Sequence, residues 1–398
     1  MYISKKNRVN MIAFGIDQLL TQTVSWKNKR MALLTNEAAT THSGIPTRVA
    51  LLQNGYSLTL LFSPEHGLAL KGADGQSVPD SIDEITNLPV ISLYGKKLAP
   101  TPNDLRDIDI VVFDIPDIGA RFYTYLWSLT YLMEACALSG KKLIVLDRPN
   151  PISGNLELSE GPILEENCAS FIGRWEIPIR HGCTLGELAK YFNKKKDLGV
   201  DLEIISCANW HRNDFQPDWG TMFVPTSPAI QQFESMLLYP GLCLLEATNI
   251  SEGRGTEHAF KIAGAPWING KVVANLFNQI GLEDVKAVPI TFIPVEGKYQ
   301  GESCEGIAFN ILDRNYFQSV ANGMLLINLI KSIYPAHFTW ANYPTEVNPS
   351  GKNHLDKLLG IENSESLFNL PLQQFLATVI KLTNAHEWRN EVNPFLLY

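Results

Sequence analysis

The chain has 398 residues, of which 45% are hydrophobic and 19% are charged, a balance typical of folded globular proteins and not of disordered ones. At this length one hydrophobic core usually gives way to two, so we expect two domains. The 33 basic and 41 acidic side chains leave a formal charge of −8. This charge repels phosphate backbones and argues against nucleic acid as a partner.

The N-terminal region and the cysteines bear on the cellular compartment. The first twenty residues carry basic side chains but no uninterrupted apolar stretch of signal-peptide length, and no later segment approaches a membrane span. A cytoplasmic protein is the simplest expectation, with a periplasmic or secreted location left open if a leader precedes the chain. Six scattered cysteines without a C-x-x-C pair predict buried free thiols, not a zinc ribbon or a redox pair.

Short apolar runs alternate with helical patterns in the first half of the chain, which is typical of a mostly parallel sheet wrapped by helices. The predicted strands of this half are Arg30–Thr35, Leu58–Phe62, Pro89–Leu93, Ile108–Phe113, Lys142–Leu146 and Leu202–Ser206. One helix is predicted over Tyr123–Leu138, with Gly140 just past its end. Another is predicted over Thr184–Lys194, where Thr184 and Glu187 match a capping box.

The pattern loosens after Trp219, where prolines interrupt the chain. The segments that follow are predicted as helices at Lys271–Ile280 and Phe317–Tyr334 and strands at Ala287–Pro294 and Glu305–Ile311. We therefore predict an α/β protein with a Rossmann-like, mostly parallel sheet domain over residues 1–225. A smaller α+β auxiliary domain is predicted over residues 226–398.

Polar residues follow five successive predicted strands, at the sheet edge where open α/β proteins bind ligands. The residues of this edge that we consider are Asn36, Glu65, His66, Tyr94, Asp114, Asp117, Arg121, Asp147, Arg148 and Asn150. Each one alone is equally well explained as a turn residue or a helix cap. Together, carboxylates and arginines at one edge are costly unless they pair or hold a ligand, so the set favours a functional cleft.

Paired carboxylates are the strongest indication of the type of reaction. The chain has no dinucleotide fingerprint, no phosphate-binding P-loop and no G-x-S-x-G turn, which argues against a nicotinamide enzyme and a serine esterase. Glycoside hydrolysis generally uses one carboxylic acid to protonate the leaving oxygen and a second group to attack or to activate water. Glu65, which follows a strand and Pro64, and Glu160, which precedes Gly161 and Pro162, are the candidates. For Glu160 the alternative is an ordinary exposed loop carboxylate.

Arginines and aromatic residues near the same loops suit an acidic sugar. An arginine fork can hold a carboxylate ligand, or it can neutralise the nearby aspartates. The four arginines in loop-like contexts are Arg121, Arg148, Arg180 and Arg254. The aromatic candidates are Tyr94, Phe122, Tyr123, Tyr125 and Trp127. For Tyr123, Tyr125 and Trp127 the alternative is a helix position that faces the hydrophobic core. His181, just before a predicted helix, is either an anion-binding residue or a structural histidine.

Assembled, these segments resemble the bacterial exo-β-N-acetylmuramidases. The matching stretches, from about residue 30 to 267, are LLTNEAA, LFSPEHGL, SLYGKKLAPT, VVFDIPDIGARFYTY, VLDRPNPISG, EGPIL, IPIRHGCTLGELAKYFN, LLYPGLCLLEATNISEGRGT and GAPW. The resemblance implies a Rossmann-like catalytic domain and a C-terminal domain that completes the cleft. It also implies release of N-acetylmuramic acid from the non-reducing end of peptidoglycan-derived saccharides or muropeptides. We expect no cofactor and no metal.

The resemblance also implies roles for particular residues. It places the catalytic carboxylates at Glu65 and Glu160. We further expect an arginine to hold the lactyl carboxylate of muramic acid. The second-domain residues that it places at the cleft are Asn249, Ser251, Glu252 and Arg254. The family commonly has Asn-Gln where this chain has Asn36-Glu37, and Gln-Asp where it has Pro116-Asp117; both departures bear on substrate preference.

Several alternatives stay open at this point. Either glutamate can be the acid, the reaction can retain or invert configuration, and the acetamido group of the substrate can take part. A metal-dependent hydrolase and a non-catalytic binder of cell-wall sugars are the competing functions, and the oligomeric state is not predicted. The metal ligands in that first alternative, which no H-E-x-x-H spacing supports, are Glu65, His66, Asp114, Asp117, Asp147 and His181.

Overall fold

The computed structural model describes residues 11–398, so the first ten residues of the predicted N-terminal domain lie outside the described residues. The strands are β1 (Met31–Thr35), β2 (Leu58–Ser63), β3 (Ser81–Ile82), β4 (Pro89–Ser92), β5 (Ile110–Asp114), β6 (Lys142–Leu146), β7 (Leu202–Ile205), β8 (Ile262–Ala265), β9 (Val285–Phe292) and β10 (Cys304–Ile311). The helices are α1 (Gly15–Thr21), α2 (Thr47–Gln53), α3 (Tyr125–Leu138), α4 (Leu185–Lys195), α5 (Phe233–Leu242), α6 (Gly270–Gln279), α7 (Ser319–Ile333), α8 (His354–Leu359), α9 (Leu372–Thr383) and α10 (His386–Val392).

The first half of the chain forms a seven-stranded sheet in the order β3-β4-β2-β1-β5-β6-β7. Its neighbouring strands run parallel, except for β3 against β4. Alternate residues of β1 enter two different hydrophobic clusters, with Ala32 and Leu34 on one face and Met31 and Leu33 on the other. Both faces of the sheet are therefore buried, which explains why β1 reads as a continuous apolar run. The predicted α/β fold is confirmed.

The second sheet is smaller and antiparallel, in the order β8-β10-β9. The sequence patterns located β9 and β10 but missed β8, whose residues Ile-Ala-Gly-Ala carry little apolar periodicity. They also missed α5, because Pro240 lies inside it and a proline normally predicts the end of a helix.

Local signals at two helix ends are confirmed. The Thr184 N–H donates to Glu187 Oε2 at 2.9 Å and the Glu187 N–H donates to Thr184 Oγ1 at 3.2 Å, so the capping box at the start of α4 forms. Gly140 follows α3 with a φ of 61°, the left-handed conformation that favours glycine after a helix. All six cysteines are buried and free, as predicted.

The C-terminal segment returns to the first half of the chain. Trp388 Nε1 of α10 donates to His181 O at 2.8 Å, and the Tyr398 hydroxyl donates to Asp147 Oδ2 at 2.7 Å. No sequence pattern indicated this return, since the contacts join residues more than 200 positions apart. None of the helices within residues 11–398 has both the length and the apolar character that a membrane span requires.

Candidate active site

A cavity of about 700 Å³ lies beyond the carboxyl ends of β2 and β4 and is lined by both halves of the chain. Residues that line it include Glu65, His66, Asp74, Tyr94, Tyr123 and Thr124 from the first half, and Glu246, Arg254, Tyr343, His354 and Lys357 from the second. Its position matches the sheet edge that the sequence analysis selected.

Glu65 is fixed on the wall of this cavity by the turn that ends β2. His66 and Gly67 follow it with φ values of 66° and 72°, so the chain reverses immediately and leaves the Glu65 side chain facing the cavity. The carboxyl group accepts hydrogen bonds from Thr124 Oγ1 at 2.7 Å and from the Gly75 N–H at 3.2 Å. Only 6% of Glu65 is exposed.

Burial raises the pKa of Glu65 above its ordinary value, and the negative charge of Asp74 acts in the same direction. The charge of His66 and the hydrogen bond from Thr124 oppose this shift. The net effect is a carboxyl group that keeps its proton to a higher pH than an exposed glutamate does. A general acid needs this property.

A charge network crosses the cavity and joins the two halves of the chain. Arg254 lies 2.7 Å from a carboxylate oxygen of Glu246 and 3.6 Å from one of Asp74. The Tyr343 hydroxyl donates to Asp74 at 2.5 Å, and His354 Nε2 lies 3.2 Å from Glu246. Although burial acts the other way, the charge of Arg254 and the contact with His354 lower the pKa of Glu246 to about 2. Glu246 is therefore an ionised partner of Arg254 at neutral pH.

The loop after β2 packs against the segment around residue 345. The Glu346 N–H donates to Gly75 O at 2.8 Å. Gly75 has a φ of 68°, and a Cβ atom added to it would lie 2.7 Å from Thr345 Cγ2, so both the conformation and the close approach require glycine. The same residue donates its N–H to Glu65, which couples this loop contact to the candidate acid.

Glu160, the second predicted carboxylate, does not line the cavity. It is 2% exposed, so the alternative of an exposed loop carboxylate is wrong. The N–H groups of Val320 and Ala321, at the start of α7, donate to its Oε1 at 3.1 and 3.2 Å. Burial raises the pKa of Glu160 to about 7, against the opposing charge of Arg180 and these backbone donors. Its position is that of a carboxylate capping a helix that belongs to the other half of the chain.

The remaining predicted residues fall into three groups. Those that line the large cavity with Glu65 are His66, Tyr94, Tyr123 and Arg254. Asp117 and Arg148 instead line a smaller hollow of about 120 Å³. Those that line neither of these two cavities are Asn36, Asp114, Arg121, Asp147, Asn150, Glu160, His181, Asn249, Ser251 and Glu252.

Several strand-end residues are paired with other groups of the protein. Arg148 Nε donates to Asp114 Oδ1 at 2.5 Å, so these two neutralise each other, as the sequence alternative stated. Asp147 accepts from Thr184 Oγ1 and from the Gly186 N–H at 2.7 and 2.8 Å, at the start of α4. These contacts hold the sheet to its helices.

Arg121 binds backbone carbonyl groups of the protein. Its guanidinium donates to Pro162 O, Ile177 O and Leu358 O at 2.7 to 2.9 Å. Because Arg121 is fully buried without a carboxylate partner, burial lowers its pKa to about 9. It joins three segments of the chain from inside.

Two predicted polar residues of the first half also have structural partners. His181 Nδ1 accepts from the Cys183 N–H at 3.2 Å, which leaves Nε2 to donate to Asp117 Oδ2 at 3.2 Å. Asn150 Oδ1 accepts from the Ile152 N–H and its amide donates to Cys183 O. The structural interpretation of His181 fits these contacts.

The other residues outside the cavities are likewise engaged locally. Asn36 Oδ1 accepts from the Ala38 N–H, Asn249 Oδ1 accepts from the Thr339 N–H and Ser251 Oγ accepts from the Gly253 N–H. Glu252 pairs with Lys298 at 3.0 Å and with Arg254 at 3.3 Å. Glu252 therefore contributes to holding the cavity residue Arg254 in position.

Neither of the two departures from the family pattern, at Glu37 and Pro116, lines the large cavity. Glu37 accepts a hydrogen bond from the buried Arg48, and Pro116 lines the smaller hollow. Of the aromatic candidates, Tyr94, Phe122, Tyr123 and Tyr125 line the cavity, whereas Trp127 is buried in the hydrophobic core.

Sequence reasoning missed Asp74, Thr124, Glu246, Tyr343 and His354. Glu246 stands inside the matching block LLEATNI and Thr124 inside FYTY, so for these two a signal was present. Tyr343 and His354 lie in a stretch without strong periodicity, where only the folded chain brings them to the cavity. Within residues 11–398 no three His, Cys, Asp or Glu side chains come together as a metal site. Of the ligands named in the metal alternative, Glu65 and His66 line the large cavity and Asp117 lines the smaller hollow.

The chain is similar to known proteins over nearly its whole length. The family description Exo-beta-N-acetylmuramidase NamZ, N-terminal, matches residues 31–234, and its C-terminal counterpart matches residues 237–398. The chain is 39% identical over 371 residues to the peptidoglycan β-N-acetylmuramidase NamZ of Bacillus subtilis, covering 92% of this chain and 89% of that protein.

Two crystal structures of DUF1343 family proteins from Bacteroides fragilis are similar to it. One has a TM-score of 0.86 at 29% identity and covers 98% of this chain and 99% of its own. The other has a TM-score of 0.70 at 27% identity and covers 97% and 99%. Since the two family descriptions together match almost the whole length, this chain belongs to the exo-β-N-acetylmuramidase NamZ family.

Proposed function

We propose that this chain is a glycosidase that releases N-acetylmuramic acid from the non-reducing end of peptidoglycan-derived saccharides. The observation that carries the proposal is Glu65, a buried carboxyl group with a raised pKa on the wall of a 700 Å³ cavity, in a chain of this family. A cavity of this size takes a small saccharide. The proposal includes no cofactor.

Glu65 is proposed as the acid that protonates the glycosidic oxygen. Its pKa is raised by burial, as a general acid requires, and it lines the cavity from which Glu160 is absent. The hydrogen bonds from Thr124 and Gly75 fix the orientation of its carboxyl group. Proton transfer is therefore proposed for Glu65 and not for Glu160.

Two predictions from the sequence stay proposals. The division into residues 1–225 and 226–398 is supported by the seven-stranded sheet, whose last strand ends at Ile205, and by family matches that meet near residue 235. A cytoplasmic place of action rests on the N-terminal sequence pattern alone.

A digest of a defined disaccharide tests the function. N-acetylmuramic acid β-linked to N-acetylglucosamine should yield the two free sugars, identified by mass, at a rate proportional to the amount of protein. The matched control has the reverse order of sugars and should stay intact, because its non-reducing end carries no muramic acid. Tight binding of the first disaccharide without product in a time course would instead favour a non-catalytic binder.

A further inference from the structure

Among residues 11–398, Arg254 is the one arginine that lines the large cavity, and it already contacts carboxylates of the protein. Arg254 lies 2.7 Å from Glu246, 3.3 Å from Glu252 and 3.6 Å from Asp74. Three carboxylates around one guanidinium leave no positive charge for an acidic substrate group. The expectation that an arginine of this cavity holds the lactyl carboxylate therefore does not fit the observed contacts.

Two lysines line the same cavity without such partners. Lys357 lies on α8, where His354, Lys357 and Leu358 occupy one face at helical spacing and all line the cavity. Lys71 reaches the cavity from the loop after β2. Within residues 11–398 neither ammonium group forms a salt bridge, and Lys357 Nζ donates only to the backbone oxygen of Lys352, at 3.1 Å.

The environment of Lys357 is unfavourable to its charge in the absence of an anion. Burial lowers the pKa of Lys357, and no acidic group acts in the opposite direction. A buried or half-buried cation without a counter-charge is uncommon, because desolvation disfavours the charged form. A carboxylate from a ligand would supply the missing counter-charge.

We propose that Lys357, assisted by Lys71, binds the lactyl carboxylate of the muramic acid residue. The proposal rests on the proposed function, because the lactyl carboxylate is the group that distinguishes N-acetylmuramic acid from N-acetylglucosamine. An ammonium group is a compact charge with three donors and suits a single carboxylate. Since Glu65, Asp74, Glu246 and Glu296 also line the cavity, an anionic sugar needs this positive charge in order to enter.

The test compares two chromogenic substrates, the β-glycoside of N-acetylmuramic acid and the same glycoside with its lactyl carboxyl group converted to the amide. We expect the wild-type protein to prefer the acid. Lys357→Met should lower kcat/KM for the acid by roughly 10- to 100-fold, mainly through KM, and should reduce the acid-to-amide ratio. Lys71→Met should act in the same direction with a smaller effect, because Lys71 is more exposed.

Two further variants make the test specific. Lys357→Arg keeps the charge and should retain most of the preference for the acid. Lys271→Met removes an exposed lysine of α6 that does not line the cavity, and it should leave the acid-to-amide ratio at the wild-type value.

An unchanged acid-to-amide ratio in both Lys357→Met and Lys71→Met, with melting temperatures like that of the wild type, would overturn the proposal. Failure of the proposed function is a different result, since the wild-type protein would then release no sugar from either substrate. If Lys357→Met does not fold, the Lys71→Met ratio decides the outcome.

Discussion

Glu65 and Glu160 are both buried glutamates with raised pKa values, yet their surroundings differ. Glu65 faces a cavity and accepts hydrogen bonds from one hydroxyl and one backbone N–H. Glu160 is sealed against the start of α7, where two backbone N–H groups and the charge of Arg180 surround it. A raised pKa therefore does not by itself identify a catalytic group. Access to a space that a substrate can fill separates the two.

The largest expected effect tests this difference directly. Glu65→Gln keeps the size of the side chain but removes the acidic proton, so kcat for muramic acid release should fall roughly 10²- to 10⁴-fold. The measurement is steady-state hydrolysis of a chromogenic β-glycoside of N-acetylmuramic acid, with a melting curve to establish that the variant is folded.

Glu160→Gln is the matched control for this substitution. Because Glu160 does not line the cavity, activity per folded molecule should stay near the wild-type value. Near-normal activity in both variants, or a greater loss in Glu160→Gln, would reject the assignment of the acid to Glu65.

The second effect concerns stability. The pKa of Glu160 is about 7 in the folded protein, against an ordinary value of 4.5. Between these two values the unfolded chain has lost this proton and the folded chain keeps it, so the contribution of Glu160 to the free energy of unfolding falls as the pH rises. Relative to Glu160→Gln, the wild-type free energy of unfolding should fall by roughly 3 kcal/mol across this window.

Urea unfolding of both proteins between pH 4.5 and 7 measures this difference. A wild-type stability that rises relative to Glu160→Gln over the same range would mean that the backbone donors and Arg180 outweigh the cost of burial.

A smaller effect is expected at Thr124. Its hydroxyl donates to the Glu65 carboxylate and so favours the ionised form. Thr124→Val should therefore raise the pKa of Glu65 further. Activity that needs the protonated acid is lost as pH rises through this pKa, so the alkaline limb of the kcat profile should move upward by on the order of one pH unit.

Thr383→Val is a suitable comparison, since the buried Thr383 donates only to Val379 O within α9. It should leave the limb in place. A limb that moves downward in Thr124→Val, or that stays fixed, would show that the titrating group is not Glu65.

The smallest expected effect is that of metal removal. Two of the ligands that the metal alternative names have protein partners instead, with Asp114 paired to Arg148 and Asp147 bound to Thr184. Dialysis against a strong chelator should therefore leave the rate of muramic acid release unchanged. A loss of activity that added Zn²⁺ or Mg²⁺ restores would favour the metal-dependent alternative.

Most of the first sheet was predictable because burial on both faces produces apolar runs. The strand Lys142–Leu146 was predicted with its observed bounds, and the capping box at Thr184 was predicted from two residues. In the second half, Pro240 predicts a helix end and the small residues of β8 predict no strand. Tertiary packing nevertheless forms α5 and β8 at these positions.

The sequence by itself determined the α/β class, the sheet edge that carries the cavity, and Glu65 as a member of it. Only the tertiary structure decided that Arg121, Asp147 and Glu160 serve the interior, because a polar residue in a loop has the same sequence pattern whether it faces a cavity or a helix end. Contacts such as Tyr343 to Asp74, 269 residues apart, leave no local pattern. They arise only when packing brings the second half of the chain over the first.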